Sequence, residues 1–153
     1  MKYYYKYKTS IGDMCIAEDD GRIYQMDIDM VPEDADLKET ELIRKTAAEL
    51  DEYLDGKRRY FDVPIEPKGT AFQQKVWEAL RKIPYGETAT YKDIAVAVGN
   101  PKACRAVGGA NNRNRILIMI PCHRVIGTDG SMTGFGAGID VKIKLLSLEK
   151  QYK

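Results

Sequence analysis

The segment Pro64-Ile65-Glu66-Pro67-Lys68-Gly69 divides this chain into halves that follow different patterning rules. Before it, the short β-rich runs Tyr3 to Lys8, Asp13 to Ala17 and Arg22 to Ile28 alternate with Ser10-Ile11-Gly12 and Asp19-Asp20-Gly21, which predicts a small antiparallel meander. An acidic loop around Pro32 to Asp36 follows. A helix is then expected from about Glu39 to Leu54, with Leu42, Ala47, Leu50 and Leu54 apolar and Gly56 as its stop. After the divide, apolar residues recur at helical spacing. Domains at 1–69 and 70–153 are expected, since a chain of 153 residues can bury a core and is compatible with one ordinary domain or two small ones.

In the second half the helix starts are written as caps. Thr70 and Gln73 have capping-box spacing, and Phe72, Val76, Ala79, Leu80 and Ile83 form one stripe that ends at Pro84-Tyr85-Gly86. Thr90 and Asp93 repeat the spacing ahead of a short helix with Ile94, Ala97 and Val98 inward, closed by Gly99. Asn100 as N-cap and Pro101 as first helical residue predict the next helix at once. Two short helices across a tight glycine turn are the signature of a helix-turn-helix. In the second of them Ala103, Ala106, Val107 and Ala110 fall on one face, and Lys102, Arg105 and Gly109 on the other. Outward cations with little steric bulk suit entry into a DNA groove. An ordinary solvated helix face would read the same way.

Charge supports the nucleic-acid reading. Residues 1–69 carry 11 Lys/Arg against 17 Asp/Glu, net −6, and residues 70–153 carry 13 against 6, net +7. The second half is the side expected to meet a polyanion, although mutual attraction of the halves would give the same asymmetry. Lys57-Arg58-Arg59 is a basic cluster that the sequence does not explain. The cysteines Cys15, Cys104 and Cys122 are odd in number and form no CxxC pair, so neither a disulfide framework nor a zinc site is indicated. With no signal-peptide core at the N-terminus and no apolar stretch of spanning length, a reduced, soluble, cytoplasmic protein without membrane association is expected.

The apolar run Ile116 to Ile120, read as a buried strand, leads into Pro121-Cys122-His123-Arg124-Val125. A cysteine beside the only histidine is a candidate nucleophile, because a thiol needs a neighbour that removes or stabilises its proton. Two observations oppose that reading. Lone cysteines are usually small core hydrophobes, and adjacent side chains on a strand point to opposite faces.

Asn100-Pro101-Lys102-Ala103-Cys104-Arg105-Ala106-Val107-Gly108-Gly109-Ala110, then Asn114 and Ile120-Pro121-Cys122-His123-Arg124-Val125, closely resembles the O6-alkylguanine-DNA alkyltransferase family. The similarity covers about Phe72 to Glu149. It implies an α+β fold, with a small ribonuclease-H-like N-terminal α/β domain and a mostly helical, winged-helix-like C-terminal domain carrying the helix-turn-helix. It also implies repair of double-stranded DNA carrying O6-alkylguanine, with O4-alkylthymine as a further substrate class, by irreversible single-turnover transfer of the alkyl group to Cys122. A monomer without cofactor is expected. The zinc site of the family's animal members cannot be built from His123 as the only histidine and Cys15 as the only cysteine of the first half.

The resemblance assigns roles residue by residue. His123 would act on Cys122 through a bridging water, which removes the objection from diverging side chains. Glu149 would orient His123 and support its positive charge, Tyr91 would donate a proton to the departing purine, and Asn114 would anchor the active-site turn. The target base must leave the stack. Arg105 would fill the space it vacates, with Lys102, Ala106, Gly109 and Ala110 lying along the minor groove. The carbonyls of Cys122 and Val125 would accept the exocyclic amine of guanine. Gly134-Phe135-Gly136-Ala137-Gly138 would close over the base, the Gly136 amide toward O6; Phe135 replaces a tyrosine and Gly136 a hydroxyl residue found in some relatives, and Ala137 would narrow the pocket for bulky alkyl groups. Two readings compete with alkyl transfer: a non-catalytic damaged-DNA-binding module, and a cysteine hydrolase using Cys122 and His123.

Overall fold

In a computed structural model that describes residues 1–132 and 135–153, the chain forms two compact units, Met1–Lys68 and Gly69–Lys153. In the first unit the β-rich runs become β1 (Lys2–Thr9), β2 (Gly12–Asp19) and β3 (Arg22–Ile28), an antiparallel meander with Tyr5 opposite Ile16 and Ile16 opposite Met26. The acidic loop adds a two-residue strand, β4 (Asp36–Leu37), parallel to β1 at Tyr3 and Tyr4, so the order is β3-β2-β1-β4. The sequence did not announce this strand. It is short, and residues 32–36 are rich in turn formers.

Helix α1 (Glu41–Leu54) starts two residues later than expected because Thr40 is its N-cap, accepting from the Ile43 amide at 3.1 Å. It packs on β1 and β2 and buries Ile43, Ala47, Leu50 and Tyr53. The residues Met14 to Ala17 of β2 are all fully buried, as befits a strand flanked on both sides. The basic cluster resolves into a brace: the Arg58 guanidinium bonds the Tyr60 carbonyl at 2.9 Å and meets Glu52 and Asp62 at 3.4 and 3.3 Å. The dividing segment is only partly a linker. Ile23 donates to the Pro64 carbonyl and accepts from the Glu66 amide, which lays Ile65 along β3.

The second unit contains α2 (Ala71–Leu80), β5 (Ala89–Thr90), α3 (Tyr91–Ala97), α4 (Cys104–Asn112), a 3₁₀ turn at Cys122–Arg124, β6 (Val125–Ile126) and α5 (Ile139–Tyr152). Both capping boxes form, at Thr70 with Gln73 and at Thr90 with Asp93. Helices α2, α3 and α4 pack together. The α2 stripe omitted Trp77, which is buried and donates its indole N–H to the Ala110 carbonyl at 2.9 Å.

Several expectations are corrected. Helix α4 begins at Cys104 and not at Pro101. The Asn100 amide is bonded to the Ala95 carbonyl and closes α3 behind Gly99, whose φ is +83°, so Asn100 belongs to the end of one helix and cannot cap the next. With the start shifted, Ala106 is exposed, and Val107, Ala110 and Asn111 form the buried face. In α3, Ala95 is buried and Ala97 exposed. The run Ile116–Ile120, buried except for half-buried Met119, is not a strand. Asn114 ties it into a turn by accepting from the Ile116 amide at 2.9 Å and donating to the Ile120 carbonyl at 2.8 Å, and Ile118 sits at φ +72°. A left-handed β-branched residue is costly, of order 1–3 kcal/mol, and persists only where its surroundings over-determine it.

Replacing Trp77 by Phe keeps most of the apolar volume and leaves the buried Ala110 carbonyl without its donor. A loss of about 1–3 kcal/mol is expected, read as a lower urea midpoint at unchanged m-value.

Candidate active site

Two short elements set the site's geometry. The parallel pair β5–β6 places Ala89 beside Val125 and Thr90 beside Ile126. It thereby fixes the start of α3, and Tyr91 with it, next to the segment that carries Cys122. From the other side α5 presents Lys142, Leu145 and Glu149 as its buried face, spaced i, i+3, i+7.

Cys122 and His123 are both buried, His123 completely. His123 Nε2 lies 2.7 Å from Glu149 Oε2, so the hydrogen of the neutral imidazole belongs on Nε2 and Nδ1 is the bare nitrogen. Nδ1 is buried and has no hydrogen-bond partner among the described residues. Glu149 serves more than the histidine. Its Oε1 accepts from Arg124 Nε at 2.8 Å and from the Gly86 amide at 3.1 Å, and its Oε2 accepts from Arg124 Nη2 at 2.9 Å. The same guanidinium donates to the Ile83 carbonyl at 2.7 Å and lies 5.7 Å from the centre of the Tyr85 ring. Arg124 is thus a fork seated on a buried carboxylate, an arrangement that lysine could not reproduce.

These contacts set the protonation states. Burial alone would raise the Glu149 carboxyl, but the hydrogen bonds and charges of His123 and Arg124 prevail and hold it well below the ordinary carboxylate range. Burial pushes His123 down, Glu149 pulls it back, and the cations Arg124 and Lys142 push it down again; the net shift is downward. Tyr91 is raised by burial and by negative charge on Cys122, which keeps its phenol protonated.

Besides Arg124, two buried residues of this cluster escaped sequence reasoning. Lys142 is fully buried and donates to the Val125 carbonyl at 2.5 Å. Asn111 is also buried; its amide reaches the Cys122 carbonyl at 3.4 Å, and that carbonyl accepts from the Val125 amide as well. Both backbone carbonyls expected to read the guanine amine therefore have protein donors already. The signal for Lys142 was available as an ionisable residue on the same helical stripe as Leu145 and Glu149. Asn111 carried none.

The remaining candidates divide by position. Arg105, Lys102, Ala106 and Gly109 are exposed at or just before α4, whereas Ala110 is buried beneath Trp77 and cannot line a groove. Asn114 holds the turn before Pro121, and Val125 is buried within β6. Phe135 is buried, Ala137 half-buried and Gly136 exposed; a β-carbon on Gly136 would come within 3.6 Å of the Asn112 carbonyl. Gly134 lies outside the described residues. Among the described residues no cluster of His, Cys, Asp and Glu could hold a metal ion, and no helix is long and apolar enough to cross a membrane.

The DNA-binding domain of 6-O-methylguanine DNA methyltransferase matches residues 71–151, and the ribonuclease-like domain of the same proteins matches residues 2–67. The chain belongs to the 6-O-methylguanine DNA methyltransferase family. It is 44% identical to the constitutive methylated-DNA–protein-cysteine methyltransferase of Bacillus subtilis, over 98% of this chain and 96% of that one. It is 45% identical to the methylated-DNA–protein-cysteine methyltransferase of Methanosarcina acetivorans, over 96% and 97%. Crystal structures of Mycobacterium tuberculosis O6-methylguanine methyltransferase, and of OGT from the same organism in complex with DNA, each superimpose with a TM-score of 0.92 at 39% identity. The first covers 100% of this chain and 95% of the other, the second 98% and 94%. The expected α+β architecture is thereby confirmed, with a small sheet domain before a helical DNA-binding domain.

The buried network predicts an acid-sensitive unit. His123 titrates below its ordinary 6.5 and Glu149 below its ordinary 4.5, so as pH falls through each value the unfolded chain takes up the proton first. Stability is expected to decline below about pH 6.5 and more steeply below about pH 4.5, read as urea midpoints; a flat profile from pH 7 to 4 contradicts it. Glu149→Gln leaves Arg124 buried without its counter-charge and is expected to cost about 3–5 kcal/mol.

Proposed function

We propose that Cys122 is the acceptor in the DNA-repair alkyl transfer that this chain, as a methylated-DNA–protein-cysteine methyltransferase, performs. The observation that carries this reading is the bare, buried Nδ1 of His123 beside Cys122, with Nε2–H committed to Glu149. A nucleophile, a base and an orienting carboxylate then stand in sequence.

The substrate is O6-alkylguanine in double-stranded DNA, flipped from the stack. The chain acts as a monomer in the cytoplasm. Cys122 loses its thiol proton by way of a bridging water to His123 Nδ1, and the sulfur attacks the alkyl carbon opposite O6. The S–C bond forms as the C–O bond breaks, and the electron pair goes to the purine. Tyr91, held protonated, donates a proton to the base as that charge develops. Thioether formation has no step that returns the thiol, so each molecule reacts once.

The exocyclic amine of guanine bonds the free lone pair of the Val125 carbonyl. At the Cys122 carbonyl it displaces the long Asn111 contact. Phe135, Gly136 and Ala137 cover the base. Arg105 enters the duplex, and Lys102, Ala106 and Gly109 lie along the minor groove, where exposed small residues admit close approach. Asn114 keeps the turn that presents Cys122.

Incubation with O6-methylguanine duplex is expected to add one methyl mass to the intact protein, on the peptide containing Cys122, and Cys122→Ser is expected to bind the duplex unchanged in mass. An unmodified protein after prolonged exposure would favour the non-catalytic DNA-binding reading. Arg105→Ala is expected to slow repair of duplex by about tenfold or more, equivalent to about 1.4 kcal/mol, while sparing reaction with the free base. Equal losses on both substrates would contradict the wedge role.

A further inference from the structure

The segment that delivers Cys122 reverses twice in succession. The Met119 amide donates to the Leu117 carbonyl at 2.8 Å around Ile118, whose φ is +72°. That bond and that φ are those of a γ-turn of the strained hand. The Cys122 amide then donates to the Ile120 carbonyl at 2.7 Å around Pro121, whose φ and ψ are −79° and 63°. This second γ-turn has the relaxed hand, and proline suits it because the ring holds φ near about −65°. Ile120 joins the two turns. Its amide donates to the Ile116 carbonyl at 3.1 Å, and its carbonyl accepts from Asn114 Nδ2 at 2.8 Å as well as from Cys122. A carbonyl oxygen has two lone pairs, and here both are committed.

We propose that Ile118 is a positioning residue for the transfer: its left-handed γ-turn sets where Pro121 delivers the Cys122 thiol. This rests on Cys122 being the alkyl acceptor. A β-branched side chain is among the least suited to a positive φ, yet Ile118 is 3% exposed, between the buried residues Leu117 and Ile120. Burial of its side chain therefore opposes the strain of its backbone, and the turn persists because burial prevails. A return of φ to negative values would redirect the chain beyond Ile118. The Ile120 carbonyl would move with it, and that oxygen is the point at which Asn114 and the Cys122 amide meet. In-line attack on an alkyl carbon tolerates little displacement of the sulfur, a misplacement of about 1 Å costing on the order of a hundredfold in rate. The handedness of one residue, four positions before the nucleophile, is thus what the thiol's placement depends on.

The test compares Ile118→Gly, Ile118→Ala and Ile118→Pro in the full chain. It reads the limiting rate of methyl transfer at saturating O6-methylguanine duplex, the duplex affinity and the urea midpoint. Alanine is ordinarily the better tolerated of the two small residues, and a positive φ inverts that order. Ile118→Gly loses the buried side chain but accepts the turn, so its midpoint is expected to fall while its rate stays within about threefold of the unaltered protein. Ile118→Ala loses the side chain and keeps the strain, and is expected to be at least about tenfold slower than Ile118→Gly. Ile118→Pro, with φ locked negative, is expected to be slower by about a hundredfold or more. Duplex affinity is expected to hold in all three. A residue that serves packing alone predicts Ile118→Ala at least as fast as Ile118→Gly, and that result overturns the proposal, as does a loss confined to affinity. If these variants do not fold, Ile118→Asn, which tolerates the left-handed region, against the β-branched Ile118→Thr repeats the contrast at larger volume, with Ile118→Asn expected to be the faster. Equal rates within each pair, with the unaltered protein still methylated on Cys122, would sink this inference alone. Absence of methyl from Cys122 in the unaltered protein would sink the assignment of the acceptor.

Discussion

The second unit is organised around one buried carboxylate. Glu149 receives a histidine nitrogen, two guanidinium nitrogens and a backbone amide, and these come from the Cys122–Arg124 turn and from Gly86 after α2. An ion pair of this kind is a poor source of net stability, because desolvation offsets much of the attraction. Its value is geometric. A fork on a carboxylate permits one relative placement of α5 and the 3₁₀ turn, and that placement orients the imidazole.

The pair also decides what the carboxylate can do for the histidine. A carboxylate facing only an imidazole would stabilise its charged form. Here Arg124 shares the carboxylate, and Glu149 still favours a charged His123 by hydrogen bond and charge while fixing its tautomer; burial outweighs that pull.

Much of the fold was legible in the residues, for identifiable reasons. The three long strands carried turn residues between them, and the capping boxes at Thr70 and Thr90 name their own helix starts. Reading failed where a residue had two possible employers. Asn100 is a plausible N-cap but closes α3, and five consecutive apolar residues read as a strand until Asn114 folds them into a turn. The strands β4, β5 and β6 span two residues each, too short for any periodicity. Of the proposed site residues, Cys122, His123, Glu149, Tyr91 and Asn114 were reachable because the resemblance covers their segments. Arg124 stood within the quoted motif without an assigned role. Its burial depends on Glu149 and Ile83, which are distant in sequence.

The parallel register of β5 with β6 has a consequence for how such a protein can diversify. Four residues tie the start of α3 to the strand that leaves the Cys122 turn, so the helix-turn-helix and Cys122 are indexed to each other like two marks on one ruler. Substitutions on the exposed faces of α3 and α4 can retune affinity for the polymer without moving that index. On the proposed assignment, room for a larger transferred alkyl group has to be found elsewhere, in the segment Phe135 to Gly138, where Gly138 has φ +108° and no residue takes part in the ladder. Affinity and substrate size are therefore separable traits, written on different stretches of the chain.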